Sequence, residues 1–86
     1  MNGAELIAAE RLRHTEVEGW TPEHDDEHTD GELASAAAAY IFPDGHDHFW
    51  PWDESWWKPS DDPIRNLAKA GALIAAEIDR LQRATP

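Results

Sequence analysis

The sequence predicts an all-α fold: a small three-helix domain with a long Trp-rich irregular loop between the second and third helices. Three observations carry this. Apolar residues recur at helical spacing in three separate segments, each opened by a residue suited to capping a helix. Pro and Gly punctuate the chain between those segments. From Phe42 to Ser60, by contrast, no periodicity is present. At 86 residues the chain is one domain, 1–86, near the lower end for independent folding. Five Trp, each able to bury roughly 150–250 Å², are the obvious material for its core.

The first helix opens at Asn2, with Glu5 three residues on in capping-box position. It runs to about Glu18 and stops at Gly19, the residue type suited to a left-handed C-terminal position. Ile7, Glu10, His14 and Val17 share its one stripe, flanked by Leu6 and Ala9, so an acid and an imidazole sit at the core edge or line a cleft. Trp20-Thr21-Pro22 breaks the pattern, and Thr21 with Pro22 suits the start of a short helical turn. Thr29-Asp30-Gly31-Glu32 reads as a capping box that opens an Ala-rich helix to about Ile41, with Leu33, Ala37 and Tyr40 on one side.

In the segment that follows, HDHFWPWDESWWKP, Pro51 and Pro59 bar a regular helix. A loop of this length in a small domain is either functional or packed by its own side chains. The last helix has Asp62 as cap and Pro63 in first position, and continues to about Arg83. Ile64, Leu67, Gly71, Ile74, Ile78 and Leu81 fall at spacings of 3, 4, 3, 4 and 3. This is a heptad-type seam, for antiparallel packing inside the domain or for a dimer interface, and it makes a homo-oligomer an expectation. Arg65, Lys69, Ala72, Asp79 and Arg83 lie off the seam, facing water. Gly71 in mid-helix suggests a close approach by another backbone or by a ligand.

Eighteen acids against seven Lys and Arg give a net charge of −11. Binding nucleic acid directly requires phosphate neutralisation, so that class is excluded. The excess reads as a solvated acidic face, or as a surface that competes with nucleic acid for a basic partner. The chain contains no Cys, which removes disulfides and thiolate sites. It opens with no secretion signal, and the apolar run Ala70 to Ala76 falls far short of the ~20 residues that span a bilayer. The expected location is cytoplasmic.

Three constellations carry possible chemistry. His24 and His28, one helical turn apart, with Asp25 between them and Glu32 a turn further on, have spacing suited to a divalent metal; an acidic linker that happens to contain His fits as well. Glu10, Glu32, Glu77 and Asp79 are acids on helices, as metal-dependent nucleoside phosphate hydrolases use. The spacing of Glu77 and Asp79 does not aim both at one ion. Lastly, Trp20, Trp52 and Trp57 offer planar faces for stacking, and Lys58, Arg65 and Lys69 offer cations, a set suited to a small anionic planar ligand; the same rings suit a plain core.

Several motifs are also familiar. Glu18-Gly19-Trp20-Thr21-Pro22-Glu23-His24-Asp25-Asp26, Gly31-Glu32-Leu33-Ala34, Trp50-Pro51-Trp52-Asp53, Trp57-Lys58-Pro59 and the closing RNLAKAGALIAAEIDRL resemble a family of short uncharacterised proteins of tailed phages and prophages. The resemblance covers roughly Glu10 to Leu81. It implies a phage accessory protein in an infected or lysogenic bacterial host, a class that includes nucleotide-pool enzymes and small inhibitors of host immunity. The expectation is a non-enzymatic binder of a nucleotide-derived ligand or host protein, in counter-defence. A divalent-metal-dependent nucleoside phosphate hydrolase and an acidic nucleic-acid mimic are the alternatives.

Overall fold

The computed structural model describes residues 1–84. Among them there are only helices, turns and irregular segments, so the all-α class holds. Five α-helices are present where the periodicity predicts three: α1 (Gly3–Glu16), α2 (Pro22–Asp25), α3 (Glu32–Ile41), α4 (His46–Phe49) and α5 (Pro63–Ala84). The two additional helices are single turns, too short to show a period. Pro22 occupies the first turn of α2, and the Thr21 side chain accepts a hydrogen bond from the His24 backbone N–H. A 3-10 turn, Pro43–Gly45, feeds α4, which ends where Trp50 precedes Pro51 and turns extended. The segment between α3 and α5 is therefore not structureless. A second 3-10 turn, Glu54–Trp56, is capped by Asp53 through the Ser55 N–H.

The capping box of α1 forms as the sequence predicts, with Asn2 and Glu5 each accepting from the other's backbone N–H. The helix ends at Glu16, and Gly19 (φ 71°) then turns the chain so that the Trp20 N–H reaches the His14 carbonyl at 2.8 Å. The capping box proposed for Thr29 is not made. Gly31, at φ 80°, is the N-cap of α3, which places Glu32 first in the helix, where its carboxylate accepts from the Asp30 N–H. Asp62 accepts from the Ile64 N–H beside Pro63, as expected.

The core lies between α3 and α5. Leu33, Ala36, Ala37 and Tyr40 meet Ala70, Leu73 and Ala76, and Trp20, Trp50, Trp52 and Trp57 pack around them. Rows of Ala permit a close approach of the two helix backbones, and the rings supply the volume that Ala lacks. This arrangement corrects the reading of α5. Its inward face is Asn66, Ala68, Ala70, Ala72, Leu73, Ala76 and Arg80, so Ala72 is buried instead of facing water. The heptad seam points away from the core, and Ile64, Leu67, Ile74, Ile78 and Leu81 are 43 to 60 % exposed.

At Gly71 the seam meets Ile7 of α1. A Cβ built there would lie 2.5 Å from Ile7 Cδ1, so what approaches the glycine is a side chain of α1, where a backbone or a ligand was expected. The neighbours Glu10 and Arg11 form ion pairs with Arg65 and Asp79 respectively. Those partners are fourteen positions apart on α5, roughly 21 Å at 1.5 Å per residue, so α1 lies across α5 and not along it.

Candidate functional site

The buried polar residues of α1 and α2 lead to the site. Glu10 is 2 % exposed, yet its carboxylate is held from two sides: Arg13 donates twice to Oε1, and Arg65 Nη1 lies 3.0 Å from Oε2. Burial alone would raise this carboxyl, but the Arg13 hydrogen bond and the Arg13 and Arg65 charges hold it below the ordinary range. One turn on, His14 is also buried, its ring 4.6 Å from that of Trp20. Burial, reinforced by Arg11, pushes it down to about 4, so the imidazole is neutral at pH 7. Its Nδ1 has no hydrogen-bond partner among the described residues.

From His14 a chain of rings crosses the molecule. Trp20 lies parallel to His24 at 5.7 Å, His24 meets His28 edge-on at 5.2 Å, and His28 meets Trp52 at 5.0 Å. The last contact joins the stretch between α2 and α3 to the Trp-rich segment. Trp52 continues to Trp50, Trp50 to Trp57, and Trp57 stacks on His46 at 4.5 Å. Tyr40 of α3 backs both Trp50 and Trp57. These rings are fixed by unlike local devices: the Thr21 cap orients His24, Trp50 Nε1 donates to the Asp53 carbonyl, and His46 Nε2 binds Glu54 at 2.6 Å. That bond to Glu54 raises the His46 pKa.

The chain of rings borders a cavity of about 560 Å³ between α1, α3, α5 and the Trp-rich segment. Trp20, Trp50, Trp52, Trp56 and Tyr40 supply flat walls, and Arg13, Lys58, Arg65 and Lys69 supply cations. Lys69 sits 5.4 Å above the Tyr40 ring and donates to the Lys58 carbonyl, which ties α5 to the end of the segment. Burial and the nearby Arg65 lower its pKa.

The structure thus gathers most of the residues singled out as ligand-binding. Trp20, Trp52, Lys58, Arg65 and Lys69 all line the one cavity. Trp57 does not; it is packed behind the wall against Tyr40, Trp50 and His46. Trp56, 66 % exposed, takes its place in the lining. Arg13 and Tyr40 were not singled out as ligand-binding; the i, i+3 spacing of Arg13 from Glu10 was the available signal.

The four residues considered for a metal separate into two pairs. His24 and His28 line the cavity, and Asp25 and Glu32, each beside one of them, do not. Asp25 is fully buried and bound to Arg11 at 3.2 Å, with His24 Nδ1 3.4 Å away. Glu32 faces His28 at 3.4 Å and the Asp30 N–H. Among the described residues no three His, Asp or Glu side chains are grouped to hold an ion. No described helix is long and apolar enough to cross a membrane. No protein-family model, curated protein or solved structure matches this chain.

Proposed function

We propose that the ring-lined cavity binds a small planar anion, nucleotide-derived, without transforming it. One observation carries this reading. The chain has 18 acids and seven Lys and Arg, yet four of those seven line this cavity, against three acids, Glu10, Glu18 and Asp53. A random surface sample would show the opposite ratio. Flat aromatic walls grip a base-like ring by stacking, and cations beside them hold phosphate or carboxylate. The volume falls within the range of small-molecule sites. The acidic remainder of the surface keeps polynucleotides away, which favours a small ligand over a strand. In the phage context that the motifs suggest, such a protein would sequester a nucleotide-derived signal from the host.

Titration calorimetry against adenosine and guanosine monophosphates, and against the uncharged nucleosides, tests this. Binding is expected for the phosphates and should weaken roughly tenfold, about 1.4 kcal/mol, when Lys58→Ala removes a rim cation. Equal affinity for nucleoside and nucleotide would refute the role given to the cations. No heat with either, at protein concentrations in the high micromolar range, would remove this ligand class.

A further inference from the structure

His24 and His28 are held in the same way. Each turns Nδ1 to a carboxylate, His24 to Asp25 Oδ1 and His28 to Glu32 Oε2, at 3.4 Å in both cases. A carboxylate oxygen accepts, so each Nδ1 carries the ring hydrogen, and in the neutral ring Nε2 is left as a bare lone pair. The carboxylates are anchored in turn, Asp25 by Arg11 and Glu32 by the Asp30 N–H. An indole steadies each ring, Trp20 beside His24 and Trp52 beside His28. Both imidazoles border the cavity and keep access to solvent, with 40 and 18 % of their side chains exposed. We propose that His24 and His28 form a two-histidine site for a divalent transition metal ion, zinc foremost, bound through their Nε2 atoms.

Three observations favour a metal over plain packing of rings. The first is separation. The two residues are four positions apart, the spacing of histidine pairs that share one zinc. At a Zn–N bond of roughly 2.0–2.1 Å, two imidazoles on one tetrahedral ion place their ring centres about 5 Å apart. The centres of His24 and His28 are 5.2 Å apart.

The second is the pair of carboxylates. A ring that only packs needs no acid at its nitrogen, whereas a ligating imidazole gives its other N–H to a carboxylate, which fixes the tautomer and makes the free nitrogen more basic. Asp25 and Glu32 hold that position on the two rings independently, one from α2 and the other from the first turn of α3.

The third is local charge. The cations that line the cavity come from α1, α5 and the Trp-rich segment. The stretch from Glu23 to Glu32 that carries the histidines has six acids and no Lys or Arg, and its field favours a dication. Imidazole nitrogen suits Zn²⁺, Ni²⁺ and Cu²⁺, while Mg²⁺ and Ca²⁺ take oxygen ligands. Among the described residues no third side chain joins the pair, so water fills the remaining positions of the ion. Metal binding needs no anion in the cavity and stands apart from the ligand proposed for it.

Calorimetric titration of the full chain with Zn²⁺, in buffer free of phosphate and nucleotide, tests the site. One equivalent is expected to bind and to be removed by EDTA, with Mg²⁺ giving no heat. His24→Phe and His28→Phe keep a ring beside Trp20 and Trp52 but remove the nitrogens, and each should weaken Zn²⁺ at least roughly tenfold. Glu32 is partly exposed, so Glu32→Ala keeps the fold and reads the same site a second way; loss of its support should cost roughly tenfold in affinity. Cu²⁺ bound there lies close to Trp20 and Trp52 and should quench the Trp fluorescence of the wild type, and much less that of the Phe variants. No Zn²⁺ binding at high micromolar protein overturns the proposal. So does an equivalent retained at full affinity in both Phe variants, which would put the ion on the acidic surface, or Mg²⁺ binding as tight as that of Zn²⁺.

Discussion

His14 and Glu10 sit one helical turn apart, both nearly sealed from water, and they give the molecule a defined acid response. His14 titrates near 4 when folded and near 6.5 when unfolded. Between those values the unfolded chain binds a proton that the folded chain refuses, so unfolding is favoured as pH falls through the window. The loss is at most about 3 kcal/mol and is absent above pH 6.5. Glu10 acts in the same direction lower down: its depressed folded pKa contributes stability above the ordinary carboxyl value, lost as pH falls through the folded one. Urea midpoints should therefore decline from pH 6.5 to pH 4, and His14→Leu should flatten that part of the curve. An unchanged slope in the variant would assign the response to another group.

Asp25 is the other residue with a sharp expectation. Its carboxylate is fully buried, and Arg11 is the strong cation beside it. Arg11→Ala strands that charge and should cost about 3 kcal/mol, the lower end for a broken buried pair because His24 remains near. Chemical denaturation at pH 7 measures this. Asp25 was singled out as a candidate metal ligand from its His neighbours; its partner is fourteen positions away in sequence, where no local pattern points.

At the scale of elements, Gly71 shows how one helix accommodates another. Ala in mid-helix is better than Gly by ~1 kcal/mol, but its methyl would overlap Ile7. Overpacking of that kind costs about 1–3 kcal/mol, so Gly71→Ala should lower thermal stability. In an Ile7→Ala background the overlap is gone and the same substitution should raise it. The reversal of sign between the two backgrounds, read from melting temperatures, is the signature of a direct contact. Mid-helix placement of the glycine was legible in the sequence, and so was the suspicion of close approach. The identity of the approaching residue was not, because Ile7 and Gly71 are brought together only when α1 folds across α5.

The whole molecule binds its site and its core together through one set of rings. Trp57 packs against Tyr40, Trp50 and His46 behind the cavity wall. Trp57→Ala should therefore destabilise by about 3 kcal/mol and lose ligand binding through loss of order. Trp56→Ala removes an exposed ring from the rim and should weaken binding with the melting temperature nearly unchanged. Parallel melting and calorimetry on the two variants separate wall from foundation. If both behave as Trp57→Ala is expected to, the cavity is part of the core and not a site.

The sequence by itself determined the all-α class, the start of α1 and α5, the short turn at Thr21-Pro22, and the chain reversal at Gly19. These depend on local chemistry: a capping side chain, a fixed φ at Pro, a positive φ at Gly. It also singled out as ligand-binding five of the residues that line the cavity, since ring and cation types are visible without coordinates. Tertiary structure alone decided which face of α5 is inside. Periodicity counts large aliphatic residues, whereas the α3–α5 contact favours small ones, and so the seam that reads as core lies outside. It likewise decided that His28 meets Trp52 and that Asp25 is spent on Arg11. Such contacts join residues far apart in the chain, and their energies depend on burial, which no spacing of residue types records.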